Sequence, residues 1–292
     1  MIIVFGEILL DIFPTYTRIG GAPFNFAFHL HRLGLPVRFV SRIGRDEAGE
    51  KIQAFLGEQG FPAADLQIDA QRPTGTVQVT LDAEGSPEFD IRVDVAYDEI
   101  DLAPLADALS AQPPALFYFG TLAQRTAAAH TRLLNVVGSL SADTCCFYDI
   151  NLRPGAKDTG IVAASLKRSH ILKLSETELY WLQRRFGGPG KVEDALAWLH
   201  TAYDLETIAL TFGAEGSWLS TAAGVTRSPS AKIAAVVDAV GAGDAYAALL
   251  AYGYLNKWPP EKILTRATSF AAEICQLPGA VPTEAAFYAD YR

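Results

Sequence analysis

The feature that most constrains this chain is an alternation. Short runs rich in apolar and β-branched residues, IIVFG, VRFVS, ALFYFG, CCFYD, HILKL and TIALTF, are separated by stretches of helical periodicity such as Asp46–Gln59, Ala123–Leu140, Glu176–Phe186 and Val192–Tyr203. Strands that apolar throughout cannot face water on either side, so the pattern predicts an α/β protein whose mostly parallel central sheet is flanked by helices on both faces. In such sheets ligands bind where loops leave the carboxyl ends of the strands. With 292 residues, 50% of them hydrophobic, and no linker-like tract, the expectation is one domain over 1–292. One stretch breaks the rhythm. In TGTVQVTLDAEGSPEFDIRV, alternating strands over Thr76–Leu81 and Glu88–Val93 are joined by a Gly/Ser/Pro turn with no helix between them, which predicts a hairpin inserted over roughly 74–97.

Charge and cysteine usage exclude several function classes. Lys and Arg total 24 against 33 Asp and Glu, a formal charge of −9 without any basic block, which argues against a nucleic-acid partner. Of the three cysteines, Cys145 and Cys146 are adjacent in a buried run, the pattern of reduced thiols in the cytoplasm. The opening MIIVFGEILLDIF carries acids and no leading basic residues, unlike a signal peptide. The longest apolar run, Ala245 to Leu255, falls short of the roughly 20 residues that cross a bilayer, so no membrane partner is expected.

Five motifs carry chemistry. In VVDAVGAGDAYAALLAYGYL, Gly241, Ala242 and Gly243 precede Asp244 at the start of a helix that is apolar nearly all round. A helix N-terminus favours an anion, so either Asp244 fills that place itself or the N–H groups stay bare for a ligand's phosphate. In RIGGAPFNFAFHLHRLG, Gly20 and Gly21 permit close backbone approach, and Asn25 offers a donor and an acceptor near a helix start; a turn with an N-cap explains the same residues. Asp11 follows the first strand in apolar company, where it either binds a ligand or satisfies turn N–H groups. YDINLRP places Asp149, Asn151 and Arg153 after a buried strand, LKLSETEL places Lys173, Ser175, Glu176 and Glu178 where a strand yields to a helix, and LTFGAEGSWL places Thr211, Gly213 and Gly216 in a tight turn.

In this order and spacing, and with the hairpin, the motifs resemble the PfkB (ribokinase-like) carbohydrate kinases over essentially the whole chain. DAVGAGD is similar to that family's C-terminal signature and GGAPFNFAFHLHRLG to its N-terminal one; Gly-Gly-Ala-Pro-x-Asn is closest to the fructokinase branch, whereas ribokinases usually carry lysine where Ala22 stands. The resemblance implies a ribokinase-like fold with a small β lid. It also implies ATP-dependent phosphorylation of a primary sugar hydroxyl, of fructose or a related keto sugar. It makes Asp244 the catalytic base, with the N–H groups of Ala242, Gly243 and Asp244, in the turn opened by Gly241, forming an anion hole and Arg153 reaching the phosphates or the sugar. Asp11, Gly21 and Asn25 would hold the sugar, while Lys173, Ser175, Thr211, Gly213 and Gly216 would line the nucleotide site. Glu178 would organise Mg²⁺ through water, and a K⁺ ion near Asp238 and Gly279 would be held by backbone carbonyls. A homodimer is compatible with the family. Two departures stand out: Ser175 replaces the family's frequent asparagine, and the stretch from Asp11 to Gly20 is short. Alternatives are a kinase for 2-keto-3-deoxygluconate, ribose or a nucleoside, and a non-catalytic sugar or nucleotide sensor on the same fold.

Overall fold

The computed structural model describes residues 1–292 except 82–86, 106–108, 110, 230, 232 and 234. In its larger sheet, third from one edge, lies β1 (Ile2–Phe5), paired in parallel with β4 (Val37–Gly44) on one side and β8 (Leu116–Gly120) on the other. Beyond β4 comes β5 (Leu66–Asp69). Beyond β8 come β9 (Cys145–Asp149), β10 (Ile171–Ser175) and β11 (Thr207–Thr211), all parallel, and the antiparallel β12 (Ser217–Thr221) and β13 (Gly224–Ser228) complete that edge. The chain winds outward from β1 in both directions, so a crevice opens at the carboxyl end of β1 where the strand order reverses.

Strand alternation builds the two core layers. Ile2 and Val4 pack with α1 (Ala22–Arg32), α2 (Glu47–Glu58), α7 (Ala242–Leu255) and α8 (Pro260–Ile274). Ile3 and Phe5 face the opposite layer, with α3 (Ala127–Ser139), α4 (Thr159–Leu166), α5 (Glu176–Phe186) and α6 (Val192–Tyr203). Cys145 and Cys146, adjacent on β9, fall into opposite layers and are unpaired thiols. The helix α7 is buried continuously from Asp244 to Gly253, because its alanines let α1, α8 and the sheet approach from all sides. The helix expected from Ala123 instead begins at Ala127, where Thr126 caps it by accepting from the Ala129 N–H; Leu122–Gln124 form a separate 3-10 turn. No helix among the described residues is long and apolar enough to cross a membrane.

The inserted segment differs from expectation in an instructive way. Its strands β6 (Gly75–Leu81) and β7 (Pro87–Ile91) are antiparallel as read, though the expected turn at residues 82–86 lies outside the described residues. They are not an isolated hairpin. The strand β6 pairs in parallel with β2 (Leu9–Ile12), which pairs with β3 (Thr17–Gly20), giving a separate four-stranded sheet ordered β3-β2-β6-β7. The short stretch from Asp11 to Gly20 is therefore a tight hairpin, closed by the Phe13 N–H on the Tyr16 carbonyl at 2.9 Å, and Asp11 lies in a strand, not a turn. Val77 and Val79 of β6 join Leu9 in the core, supplying the apolar anchorage that the hairpin sequence alone lacks.

Candidate active site

The loops leaving β1 and β9, the start of α1, the start of α7 and the small sheet enclose a cavity of about 480 Å³. Into it come Asp11, Gly21, Asn25, Asn151, Arg153, Lys173, Asp238, Gly241, Gly243 and Asp244, ten of the residues singled out from sequence. A second cavity of equal volume, lined mainly by apolar residues such as Leu219, Leu250, Tyr254 and Trp258, gathers none of them. The polar cavity is the one with converging chemistry.

At its floor, Gly241 takes φ 81° as the N-cap of α7 and presses so close to Ala280 that a Cβ would come 2.8 Å from the Ala280 Cα. No side chain caps this helix. The Ala242 N–H makes a long bond to the Ala239 carbonyl at 3.4 Å, while those of Gly243 and Asp244 have no hydrogen-bond partner among the described residues. Bare N–H groups at the positive end of a helix form a seat for phosphate oxygens. Lys173 adds charge there: its Nζ would lie 3.2 Å from a Cβ placed on Gly243, so only glycine leaves both groups unobstructed.

Asp244 does not cap its own helix. Its Oδ2 accepts a 2.7 Å hydrogen bond from Asn25 Nδ2, joining α7 to α1 across 219 residues of sequence, with both side chains buried. Asn25 Oδ1 is buried without a partner among the described residues. Gly21, with φ 115°, brings the start of α1 against the strand end; a Cβ there would meet the Glu7 carbonyl oxygen at 2.6 Å. The Asp11 carboxylate occupies the space where a side chain on Gly20 would go. Burial pushes the Asp11 carboxyl up to about 6, with Arg153 and Arg18 opposing and the charges of Asp244 and Asp238 adding.

Lys173 is buried against Asp149, Nζ to Oδ1 at 3.1 Å. Burial would lower its pKa, but the carboxylates of Asp149, Glu178 and Asp244 outweigh it and the net direction is upward, so the site holds a fixed ammonium. Arg153 is exposed and lines the cavity, and its guanidinium has no hydrogen-bond partner among the described residues.

The remaining predicted residues lie beside the cavity, along the carboxyl ends of β10 and β11. Ser175 and Thr211 are register partners there, and Gly213 and Gly216 form the turn that follows. Ser175 serves as the N-cap of α5 in a reciprocal capping box: its Oγ accepts from the Glu178 N–H, and Glu178 Oε2 accepts from the Ser175 N–H at 2.7 Å and from its Oγ at 2.8 Å. Glu178 Oε1 takes the Leu152 N–H at 2.7 Å, which ties the loop carrying Arg153 to α5. No cluster of three or more His, Cys, Asp or Glu able to hold a metal occurs among the described residues, so the donor set does not fit an ion caged by protein. It does fit Mg²⁺, which keeps several waters and is bound mainly by phosphate oxygens with one carboxylate nearby.

Asp238 carries a cation already. Its carboxylate is ion-paired with the Arg18 guanidinium of β3 and also accepts from the N–H groups of Gly279 at 3.2 Å and Val240 at 3.0 Å. Arg18 stacks over Tyr16, 4.7 Å from the ring centroid. The small sheet is thus ion-paired to the loop that leads into α7. Arg18 and Glu7 both went unremarked as site residues from sequence; for Glu7 the available signal was an acid directly after the first apolar strand, at the end of the sheet where ligands bind.

Residues 13–286 match the model of the pfkB family carbohydrate kinases. The chain is 29% identical to a fructokinase of Salmonella typhimurium over 306 residues, covering 97% of this chain and 92% of the relative. It is 28% identical to fructokinase-1 of Zea mays over 270 residues, covering 86% and 81%. A fructokinase from Xylella fastidiosa with bound ATP superposes with a TM-score of 0.87 at 21% identity, over 99% of this chain and 98% of that one. The chain belongs to the pfkB family of carbohydrate kinases.

Proposed function

We propose that this kinase transfers the γ-phosphoryl group of ATP to a primary hydroxyl of a keto sugar, with fructose the first choice. The observation that carries the reading is Asp244, held by Asn25 at 2.7 Å between unpaired helix N–H groups and a cavity lined by polar side chains. Phosphoryl transfer draws most of its acceleration from positioning and charge neutralisation, and these residues supply both. The sugar hydroxyl donates to Asp244. As its oxygen bonds to phosphorus, its proton passes to the carboxylate and the bond from phosphorus to the ADP oxygen breaks. The N–H groups of Gly243 and Asp244, with Lys173, hold the transferring oxygens, and Arg153 reaches over them from the mouth. The nucleotide extends past Ser175 toward Thr211, Gly213 and Gly216. Mg²⁺, when bound, would supply neutralising charge to the phosphates, and Glu178 is the residue that would hold it, through water.

Fructose is favoured by the Gly-Gly-Ala-Pro-x-Asn form and by the fructokinase relatives, and Ala22 offers no charge for a sugar acid. Asp11 accepts from sugar hydroxyls, and the small sheet acts as a lid whose closure excludes water. A coupled ADP-release assay over fructose, other hexoses, ribose, nucleosides and 2-keto-3-deoxygluconate tests the assignment. Fructose should give the highest kcat/KM; a value at least tenfold higher for another acceptor would overturn the fructose assignment and leave the kinase, and ADP release with none of them would overturn both.

A further inference from the structure

Glu7 lies two residues past the end of β1, at the point where the sheet order reverses, and lines the same cavity as Asp11, Asn25 and Asp244. It is only 4% exposed, and its Oε2 is buried without a hydrogen-bond partner among the described residues. A buried carboxyl oxygen without a partner is costly, so one that borders a polar cavity points to a ligand. Its position is also fixed, because the backbone of Glu7 and Ile8 lies directly against Gly21.

The acceptor reading above, on which this inference rests, leaves an imbalance. A sugar hydroxyl that donates to Asp11 or Asp244 still has oxygen lone pairs that accept from donors; one N–H of Asn25 Nδ2 is spent on Asp244, Arg153 approaches from the exposed side, and Glu7 Oε2 borders the buried side. We propose that Glu7 is a further sugar-binding residue, its carboxyl group donating a hydrogen bond from Oε2 to an acceptor-sugar oxygen. Donation requires the protonated form. Burial pushes the Glu7 carboxyl up to about 8, the charge of Asp244 adds, and its own backbone N–H, Arg153 and Arg125 oppose. The groups facing it are Asp244 from α7, Arg153 from the loop after β9, Arg125 from the turn after Leu122–Gln124, Tyr97 from the Ala96–Glu99 turn, Tyr118 from β8 and, across the cavity, Asp11 from β2. Below about 8 the group is a neutral donor; above it, a further negative charge joins Asp11 and Asp244 and the donor is gone.

Steady-state kinetics from pH 6.5 to 9.5 on the full chain, with the best acceptor of the panel, separate the possibilities. For the wild type, KM for the sugar should rise above pH 8 while KM for ATP does not follow. Glu7→Ala should raise the sugar KM about tenfold or more, as expected for a buried hydrogen bond lost with its partner left unpaired, with much less effect on the KM for ATP. Glu7→Gln, whose amide still donates and cannot ionise, should recover most of that loss and give a sugar KM flat across the range. An unchanged sugar KM in Glu7→Ala, or a Glu7→Gln enzyme that keeps the rise above pH 8, would overturn the role of Glu7 while leaving the kinase reading intact. Failure of the wild type to bind or phosphorylate any sugar, by calorimetry and by turnover, would overturn both together.

Discussion

Replacing Asp244 by asparagine isolates the proton acceptor from the architecture that holds it. The Asn25 Nδ2 donor, 2.7 Å from Oδ2, fixes how the new amide must lie: its oxygen keeps the bond to Asn25 and its NH₂ turns toward the acceptor hydroxyl. The opposite orientation would oppose two NH₂ groups and is rejected. The substituted side chain therefore presents a donor where catalysis needs an acceptor. Proton-transfer groups contribute about 10²–10⁴-fold, so kcat should fall by about that factor or more, equivalent to roughly 3–5 kcal/mol in the barrier. Stability should change far less. The bond to Asn25 passes from charge-assisted to neutral, a loss of about 1 kcal/mol, which in a protein of this size lowers Tm by only about 2–4 °C. Coupled ADP release gives kcat, calorimetry gives ATP affinity and scanning calorimetry gives Tm. Asn25→Ala is the converse control, leaving Asp244 without its partner at a stability cost of about 1–3 kcal/mol. A kcat for Asp244→Asn within tenfold of wild type would make Asp244 a structural residue of the helix start and refute the mechanism.

Two further outcomes follow from the small sheet. Amide exchange in β2, β3 and the described part of the β6–β7 pair should slow when a saturating acceptor sugar is bound, since closure buries edges that are otherwise open to water; exchange rates that do not respond to sugar would dispose of the lid. Because the Arg18 guanidinium already neutralises Asp238 beside Gly279, turnover should be the same within about twofold in potassium and in sodium chloride, and Arg18→Ala should speed exchange in β3. Tenfold stimulation of the wild type by potassium would show that Arg18 does not stand in for a bound cation.

Much of this molecule is decided within short windows of sequence. The runs IIVFG, CCFYD and TIALTF become strands of the parallel sheet because unbroken β-branched and aromatic stretches have no other way to be buried on both faces. The alanine-rich stretch after Asp244 becomes a core helix because it is apolar at every angle, and Gly241 and Gly21 mark backbone turns that only glycine accommodates. Asp244, Asn25 and Asp11 were legible as candidates because each is a polar residue at a helix start or strand end in apolar company, although local capping could account for each alone. What no window could decide is pairing. LLDI and TRIG are four residues each and partly exposed, too short for a periodicity of their own, and they are strands because β2 pairs with β6 and β3 with β2. Ser175 and Glu178 sit where a strand yields to a helix, and the fold joins both in the capping box of α5; the nucleotide and metal roles that the family resemblance implies for them are not legible in that window. Asn25 meets Asp244 across 219 residues, and Arg18 meets Asp238 across 220. Glu7 acquires its chemistry from carboxylates and guanidinium groups delivered by α7, β2 and the loop after β9. Local sequence sets periodicity and backbone freedom, because those depend on near neighbours. Which charges converge, and which carboxyl is left buried without a partner, depends on strand order and helix packing, and these exist only once the chain has closed on itself.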